Sequence, residues 1–281
     1  MATAPIELKE SFFVTANSER MPVLFVGHGS PMNIVSNNSY TTDLAKAAEH
    51  IAKPSAILVI SAHWLTNGTC VGCMAEPRTI YDFYGFPEEL YKIRYHCKGS
   101  PQLAELTTNL VKSTQIKCDI EWGLDHACWA VLTHMYPKAD VPVFEMSLDY
   151  SPYNDWNPKP LEYHYKIASE LAPLREKGVL IIGSGNIVHN LGLIDFDTDA
   201  KPYPWAVKFD EKVKDALLND DHEALINYLK LGREGQFAVP TLDHYLPLIY
   251  AIGLKRKSEP LKFIHEGFQN GSVSMRAIRI G

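Results

Sequence analysis

The chain has 281 residues, of which 46% are hydrophobic and 21% are charged, and its formal net charge at pH 7 is −6. This balance is typical of globular domains, and a chain of this length buries a large core without needing disulfides or metals. No basic stripe is present, so nucleic-acid binding, which needs clustered Lys and Arg against the phosphates, is not expected. The longest apolar runs are too short to cross a bilayer, and residues 1–20 lack the apolar core of a signal peptide. We therefore expect one catalytic domain over residues 1–281, with residues 1–20 as an N-terminal extension, in the cytoplasm.

The five cysteines, an odd number, do not indicate a secreted disulfide framework. Cys70 and Cys73 form one Cys-x-x-Cys, without the second pair of a zinc ribbon or the following helix of a thioredoxin-like site. We interpret both as residues of a strand. A zinc knuckle or a redox pair is the alternative.

Strand and helix patterns alternate along the chain. Three short, continuously apolar runs are typical of strands buried on both faces of a sheet, and apolar residues at helical spacing lie between them. In chain order, the predicted elements are a strand at Val23–Val26, a helix at Thr41–Ile51, a strand at Ala56–Ser61, a helix at Pro101–Val111, a strand at Val141–Leu148, a loop at Ser151–Pro160, a helix at Leu161–Leu174, a strand at Val179–Gly183, a helix through Trp205–Leu217, and strands at Lys262–His265 and Ser272–Ile280. The pattern predicts an α/β fold: a single domain with a central, largely parallel or mixed β-sheet flanked by helices, in which the last strands are antiparallel at one side.

A histidine follows each of the three most apolar strands. Gly27-His28-Gly29 follows the first, His63 the second, and His189 the third. Glycine on both sides of His28 permits a tight turn and a close approach of the backbone to a ligand. Because the carboxyl ends of parallel strands meet at one edge of a sheet, these imidazoles are expected to converge there. Neutral imidazole binds Zn, Fe, Cu or Ni near physiological pH, so the pattern predicts a metal site.

Two further histidines stand near predicted helix starts. His244 follows Asp243, and His126 follows Asp125. A helix start that points His244 towards the strand ends would complete the cluster. We interpret the two aspartates as helix caps, with Thr241 as an alternative cap, rather than as metal ligands.

Other interpretations of these residues stay open. A single buried histidine is often a hydrogen-bonded core residue rather than a ligand. The turn at Gly183-Ser-Gly-Asn resembles a nucleotide-binding turn but lacks the third glycine of a dinucleotide fingerprint, and the chain has neither a serine-hydrolase elbow nor a P-loop. Six histidines fall in helical or charged settings and are interpreted as surface or packing residues: His50, His96, His134, His164, His222 and His265.

Several motifs, taken in order, resemble the class III extradiol ring-cleavage dioxygenases, and in particular their 4,5-DOPA dioxygenase-like branch. The resemblance extends from Pro22 to Arg276, and the order and spacing of the motifs are more specific than any one of them. The motifs are Gly27-His-Gly-Ser-Pro-Met, Ser61-Ala-His-Trp, Tyr81-Asp-Phe-Tyr-Gly-Phe-Pro, Gly123-Leu-Asp-His, Gly183-Ser-Gly-Asn-Ile-Val-His-Asn and Leu242-Asp-His-Tyr.

The resemblance implies one divalent metal ion under a catechol pocket, with Zn²⁺ commonly bound in this branch and Fe²⁺ used for ring cleavage. It implies metal ligands at His28, His63 and His244, with His189 either a fourth ligand or a group that acts on the substrate. His126 matches a histidine that lines the substrate pocket. The chain departs from the family at Ala127-Cys128, where a glycine and a small polar residue are usual, and we expect this change to alter the pocket. The third ligand, a histidine rather than the glutamate of the broader class, should favour retention of zinc.

The expected function is therefore opening of the aromatic ring of a DOPA-like catechol with O₂. His126 and His189 are the candidate acid and base, because the pKa of histidine suits proton transfer in both directions. Trp64, Tyr84 and Phe86 are candidate walls for an aromatic substrate. The alternatives are a zinc hydrolase with His189 as general base, and a non-catalytic interaction protein stabilised by the metal.

Overall fold

A computed structural model of the protein describes residues 20–150 and 159–281. The predicted extension, up to residue 19, and residues 151–158 of the predicted loop lie outside this range. The described strands are β1 (Val23–Gly27), β2 (Ala56–Thr66), β3 (Cys70–Gly72), β4 (Lys117–Asp119), β5 (Val143–Asp149), β6 (Val179–Gly185), β7 (Leu261–His265), β8 (Phe268–Gln269), β9 (Val273–Ser274) and β10 (Ala277–Ile280).

Helices connect most of these strands. They are α1 (Ser39–Glu49), α2 (Pro101–Leu110), α3 (His126–Met135), α4 (Leu161–Glu170), α5 (Pro173–Glu176), α6 (Pro204–Leu218), α7 (His222–Ile226), α8 (Glu234–Ala238) and α9 (Leu246–Gly253). The helix predicted over Leu161–Leu174 is thus two helices. Pro173 begins the second one, because proline has no N–H to donate to the preceding turn and is tolerated in the first turn of a helix.

Within the described residues, the large sheet has eight strands in the order β4-β3-β5-β2-β6-β1-β10-β7. Its centre is parallel, since β2 pairs with β5 and β6, and β1 pairs with β6, in parallel register. The C-terminal strands β10 and β7 add one antiparallel edge. The prediction of a single α/β domain with a mixed central sheet is confirmed.

Both faces of the central strands are buried, which explains their continuously apolar sequences. Successive residues of β1 alternate between two cores. Val23 and Phe25 join one core with residues of α4, α6 and α9. Leu24 and Val26 join the other with residues of α1 and α3. Sheet and helices therefore form three layers, and the polar side chains that follow the parallel strands collect at the carboxyl edge.

The cysteines depart from the prediction. Cys70 lies in β3 as a strand residue, but Cys73, just after that strand, forms a disulfide with Cys118 of β4. The two cysteines are 45 residues apart, and the parallel pairing of the short strand β3 with the edge strand β4 brings them together. Cys-x-x-Cys spacing carried no information about this partner.

Candidate metal centre

Five histidines from five separate segments line one cavity of about 510 Å³ at the carboxyl edge of the sheet. They are the residues that the sequence singled out: His28, His63, His126, His189 and His244. The six histidines interpreted as surface or packing residues do not line it; His164, for example, is buried against the Tyr250 hydroxyl.

The turn after β1 holds His28 by its backbone and by its ring. A Cβ on Gly27 would lie 2.7 Å from the Ser274 carbonyl oxygen, and Gly29 has a φ of +61°, so both glycines are required by the path of the chain. His28 Nδ1 lies 3.1 Å from Ser184 Oγ. The Ser184 hydroxyl donates to the Ala127 carbonyl at 2.6 Å, so its oxygen is left to accept from Nδ1. The proton of His28 is therefore on Nδ1, and Nε2 carries the lone pair.

His63 lies inside β2 rather than beyond its end, because the strand continues to Thr66. The pairing of β2 with β5 shifts register between Ile60 and Leu65, and such a bulge re-aims the side chains within it. His63 Nδ1 lies 3.0 Å from Asp82 Oδ2, and His63 Nε2 lies 3.2 Å from His28 Nε2. Two imidazole nitrogens thus face each other across the cavity.

His244 is held by Asp243, whose carboxylate accepts from His244 Nδ1. The prediction that Asp243 or Thr241 caps a helix here is wrong, because α9 begins at Leu246 after Tyr245, without a side-chain cap. By contrast, Asp125 caps α3 as predicted, accepting from the Cys128 amide at 3.3 Å. The His244 backbone packs so closely on β6 that a Cβ on Gly185 would lie 2.2 Å from the His244 carbonyl oxygen.

The residues fit a metal ion. One ligand atom from each of His28, His63 and His244 lies within 4.8 Å of the others. His244 Nε2 is buried and has no hydrogen-bond partner in residues 20–150 and 159–281, which is costly unless a cation is present. Three imidazoles whose second nitrogens are fixed by hydrogen bonds form the donor set and the surrounding support typical of Zn and Fe sites.

Burial keeps most of these rings neutral, which is the form that binds a metal. Burial, together with the neighbouring histidines, lowers the pKa of His28 well below its ordinary value. Burial also lowers the pKa of His244, although the hydrogen bond to Asp243 acts in the opposite direction. At His63 burial acts to lower the pKa, but the hydrogen bond and charge of Asp82, together with the charges of Asp125 and Asp243, outweigh it and raise the pKa.

His126 stands beside His63 at the start of α3, and their ring centroids are 4.1 Å apart. His126 Nδ1 lies 2.8 Å from Asp82 Oδ2, the same oxygen that faces His63. Burial lowers the pKa of His126. His126 is thus a neutral ring at the cavity wall with Nδ1 directed at a carboxylate.

His189 lies flat against His244, with ring centroids 3.5 Å apart and planes inclined by 9°. The donor-atom group formed by His28, His63 and His244 does not include it; His189 groups instead with Asp243 and His244.

The cavity walls are apolar, and the predicted wall residues Tyr84 and Phe86 are among them. Trp64 is a correction. It is 3% exposed, stacks on Trp122 with centroids 5.7 Å apart, and does not line the cavity, because a strand directs successive side chains to opposite faces. Ala127 and Cys128, where the chain departs from the family pattern, are fully buried and do not line it either.

Sequence reasoning missed several residues of the site. Asp82 contacts two of its histidines, Ser184 fixes a third, and Phe83 and Phe196 line the walls. Asp82 and Phe83 lie within the Tyr81–Pro87 motif and Ser184 within the glycine turn, so their position beside recognised residues was the available signal. Phe196, which is 95% exposed in a loop rich in aspartate, gave none.

A family model described as the catalytic LigB subunit of aromatic ring-opening dioxygenase matches residues 22–279. The chain belongs to this LigB family. It is 42% identical over 272 residues to a protein of Escherichia coli K12 named 4,5-DOPA dioxygenase extradiol, covering 95% of this chain and 97% of that one. A protein of Beta vulgaris with the same name is 36% identical over 256 residues and covers 89% of this chain and 92% of its own.

A crystal structure of an uncharacterized protein from Escherichia coli K12 also matches. It superposes with a TM-score of 0.79 at 39% identity and covers 93% of this chain and all of that one. The LigB assignment confirms the prediction of an extradiol aromatic ring-opening dioxygenase, and none of these relatives supports a hydrolase or a non-catalytic protein. In the described part of the chain, no helix has the length and apolar character needed to cross a membrane.

Proposed function

We propose that this LigB-family enzyme uses O₂ to open the ring of a DOPA-like catechol beside its two hydroxyl groups. The proposal assigns the one divalent metal ion to His28, His63 and His244. The observation that carries it is the convergence of these three imidazoles within 4.8 Å, with His244 Nε2 buried and unpartnered among the described residues. The names of the relatives from Escherichia coli and Beta vulgaris support a DOPA-like substrate.

The metal supplies a Lewis acid and, as Fe²⁺, the electron transfer that catechol oxidation by O₂ requires. We assign Fe²⁺ to the active enzyme and expect Zn²⁺ to bind the same donors, since both accept imidazole ligands. The three histidines line a cavity of about 510 Å³, a size that suits a single substituted aromatic ring.

Aromatic and aliphatic side chains orient the substrate ring and keep water from it. Phe83, Tyr84 and Phe86 line the cavity, and Phe83 also packs edge-on against His126 with centroids 5.5 Å apart. Leu191, Ile194 and Phe196 line it as well. Apolar walls favour an aromatic ring between them, and the five histidines that line the cavity supply polar atoms.

His126 is the proposed acceptor of a catechol hydroxyl proton. Because Asp82 holds its Nδ1, the Nε2 atom of the neutral ring is the acceptor. His189, stacked on His244 and lining the same cavity, is the proposed second proton carrier, which returns a proton during ring opening. Proton transfer by a positioned histidine contributes about 10² to 10⁴ in rate.

Reconstitution tests the proposal. The protein is loaded anaerobically with Fe²⁺ or Zn²⁺, mixed with L-DOPA and other catechols, and exposed to O₂ while the absorbance of the yellow ring-opened product is followed. We expect product with Fe²⁺ and none from His63→Ala, and we expect Zn²⁺ to support none. No product from any catechol with the iron site filled would refute the proposal. A cytoplasmic location is likewise proposed, and cell fractionation checks it.

A further inference from the structure

We propose that Asp82 is a positioning residue that fixes the ring and the proton of two histidines at once, one that binds the metal and one that takes the substrate proton. The inference rests on the proposed function, which assigns these roles to His63 and His126. It adds that a single carboxylate couples metal binding to proton acceptance.

Three short contacts carry the inference. Asp82 Oδ2 lies 3.0 Å from His63 Nδ1 and 2.8 Å from His126 Nδ1. Asp82 Oδ1 accepts from the backbone N–H of His126 at 2.8 Å. Within the described residues, every hydrogen bond of the Asp82 side chain goes to one of these two histidines. Its side chain is only 13% exposed, so water competes little for these bonds.

The contacts of Asp82 determine which nitrogen of each histidine carries the proton. One oxygen, Asp82 Oδ2, faces the Nδ1 atoms of both His63 and His126, while Oδ1 already accepts from the His126 backbone N–H. A carboxylate oxygen in this position accepts, so both Nδ1 atoms donate. A neutral imidazole that donates from Nδ1 has its lone pair on Nε2. One carboxylate thereby leaves His63 Nε2 free for the metal and His126 Nε2 free for the substrate.

The backbone around Asp82 is built to keep it there. Thr79 forms a bridge with Leu124, and the Ile80 amide donates to the Leu124 carbonyl at 2.7 Å, so the segment that carries Asp82 is tied to the segment that begins α3. The Trp129 indole donates to the Ile80 carbonyl at 2.8 Å from inside the same helix. Asp82 and His126 therefore share one rigid support.

Asp82→Asn tests the hydrogen-bonding role of Asp82 without changing its packing, because asparagine has the same shape as aspartate. If the amide oxygen takes the place of Oδ2, the NH₂ group faces the His126 backbone N–H, and two donors oppose each other. If the NH₂ group takes that place, it donates to one Nδ1 and forces that ring to carry its proton on Nε2, where the lone pair is needed. Neither orientation of the amide keeps all the hydrogen bonds of His63 and His126 with both protons on Nδ1.

Two measurements on the full chain test the inference. The first is Zn²⁺ affinity, by competition with a chromophoric chelator; we expect Asp82→Asn to weaken it about 10- to 100-fold. The second is kcat for ring cleavage with Fe²⁺ saturating; we expect a further loss of about 10²-fold that excess metal does not restore.

The matched control is Asp43→Asn. Asp43 Oδ2 lies 2.9 Å from His265 Nδ1, an equivalent pair outside the cavity, so both readouts should stay at the wild-type level.

A second background distinguishes positioning from general damage. In His126→Gln, adding Asp82→Asn should lower kcat no further while still weakening Zn²⁺ binding. An unchanged Zn²⁺ affinity in Asp82→Asn, or kcat losses that multiply in the double variant, would overturn the inference.

The wild-type protein gives a test that does not depend on the folding of a variant. In the Zn²⁺-loaded protein, long-range ¹H–¹⁵N spectra should show His126 protonated on Nδ1; protonation on Nε2 would overturn the inference. So would two Zn²⁺ ions per chain, because Asp82 would then be a ligand together with His63 and His126. Absence of ring cleavage by wild type with any catechol refutes the proposed function alone, since the Zn²⁺ and spectroscopic tests still decide the role of Asp82.

Discussion

Removal of His244 should eliminate most of the stabilisation that a metal ion gives to the fold. Its Nε2 is one of the buried side-chain atoms that lack a hydrogen-bond partner among the described residues, and His244 belongs to the group of three histidines whose ligand atoms lie within 4.8 Å of one another. An ion held there binds the folded chain and not the unfolded one, so it raises the free energy of unfolding by RT ln(1 + [L]/Kd). His244→Ala leaves two imidazoles and an enlarged gap.

The size of the effect follows from this relation. At a free Zn²⁺ concentration 100 times the wild-type Kd, the gain is about 2.7 kcal/mol. A gain of that size raises Tm by about 5–10 °C for a domain somewhat smaller than this one. If loss of one ligand weakens binding about 100-fold, the same Zn²⁺ concentration stabilises the variant by only about 0.4 kcal/mol, a shift of about 1 °C.

Thermal unfolding with and without Zn²⁺ measures both shifts. Each variant is compared with itself, so any intrinsic change in stability cancels. His265→Ala is the matched control, because His265 also pairs with an aspartate but does not line the cavity. It should keep the full wild-type shift. A His244→Ala protein that gains as much Tm as wild type would refute the assignment of His244 as a ligand.

Three further predictions concern the wall, the turn and the periphery. Phe83→Ala should raise KM for catechols about tenfold with a smaller change in kcat, because it removes part of the cavity wall and no proton-transfer group. Steady-state kinetics measures both constants, and a fall in kcat with KM unchanged would contradict this prediction. Gly27→Ala should cost about 1–3 kcal/mol in urea unfolding, because the new Cβ would lie 2.7 Å from the Ser274 carbonyl oxygen. Glu259→Gln should lower Tm at pH 7. Burial acts to raise the pKa of Glu259, but the hydrogen bonds from Arg175 and Arg256 outweigh it and lower the pKa from 4.5 to about 2. The ionised carboxylate therefore contributes its full stabilisation of the fold at pH values above the pKa of the unfolded chain, and this stabilisation disappears as the pH falls towards 2. A Tm difference that grew on acidification would contradict this sign.

Features of the fold that depend on the local residue pattern were predicted correctly from the sequence. Apolar runs located the central strands, and the glycines around His28 indicated the turn that the backbone contact with Ser274 requires. His63 was placed in the right cavity although its strand continues past it. The prediction that Trp64 lines the cavity was wrong. Because His63 and Trp64 are successive residues of β2, their side chains face opposite sides of the strand, and Trp64 stacks on Trp122.

Long-range pairing was beyond such patterns. Asp82 reaches His126 across 44 residues, and Cys73 reaches Cys118 across 45, and neither spacing is periodic. Asp243 was interpreted in the sequence as a helix cap rather than a metal ligand, whereas in the structure α9 begins only at Leu246 and Asp243 accepts a hydrogen bond from His244 Nδ1.

Isotope labelling tests the central claim most directly. Wild-type protein reconstituted with Fe²⁺ is supplied with L-DOPA under ¹⁸O₂, and the product is reduced at once with borohydride so that its aldehyde oxygen cannot exchange with water. An extradiol dioxygenase places one ¹⁸O in the new carboxylate and the other in the new alcohol derived from the aldehyde, and mass spectrometry should find both. A ring-opened product without ¹⁸O, or an oxidised catechol with its ring intact, would contradict the account.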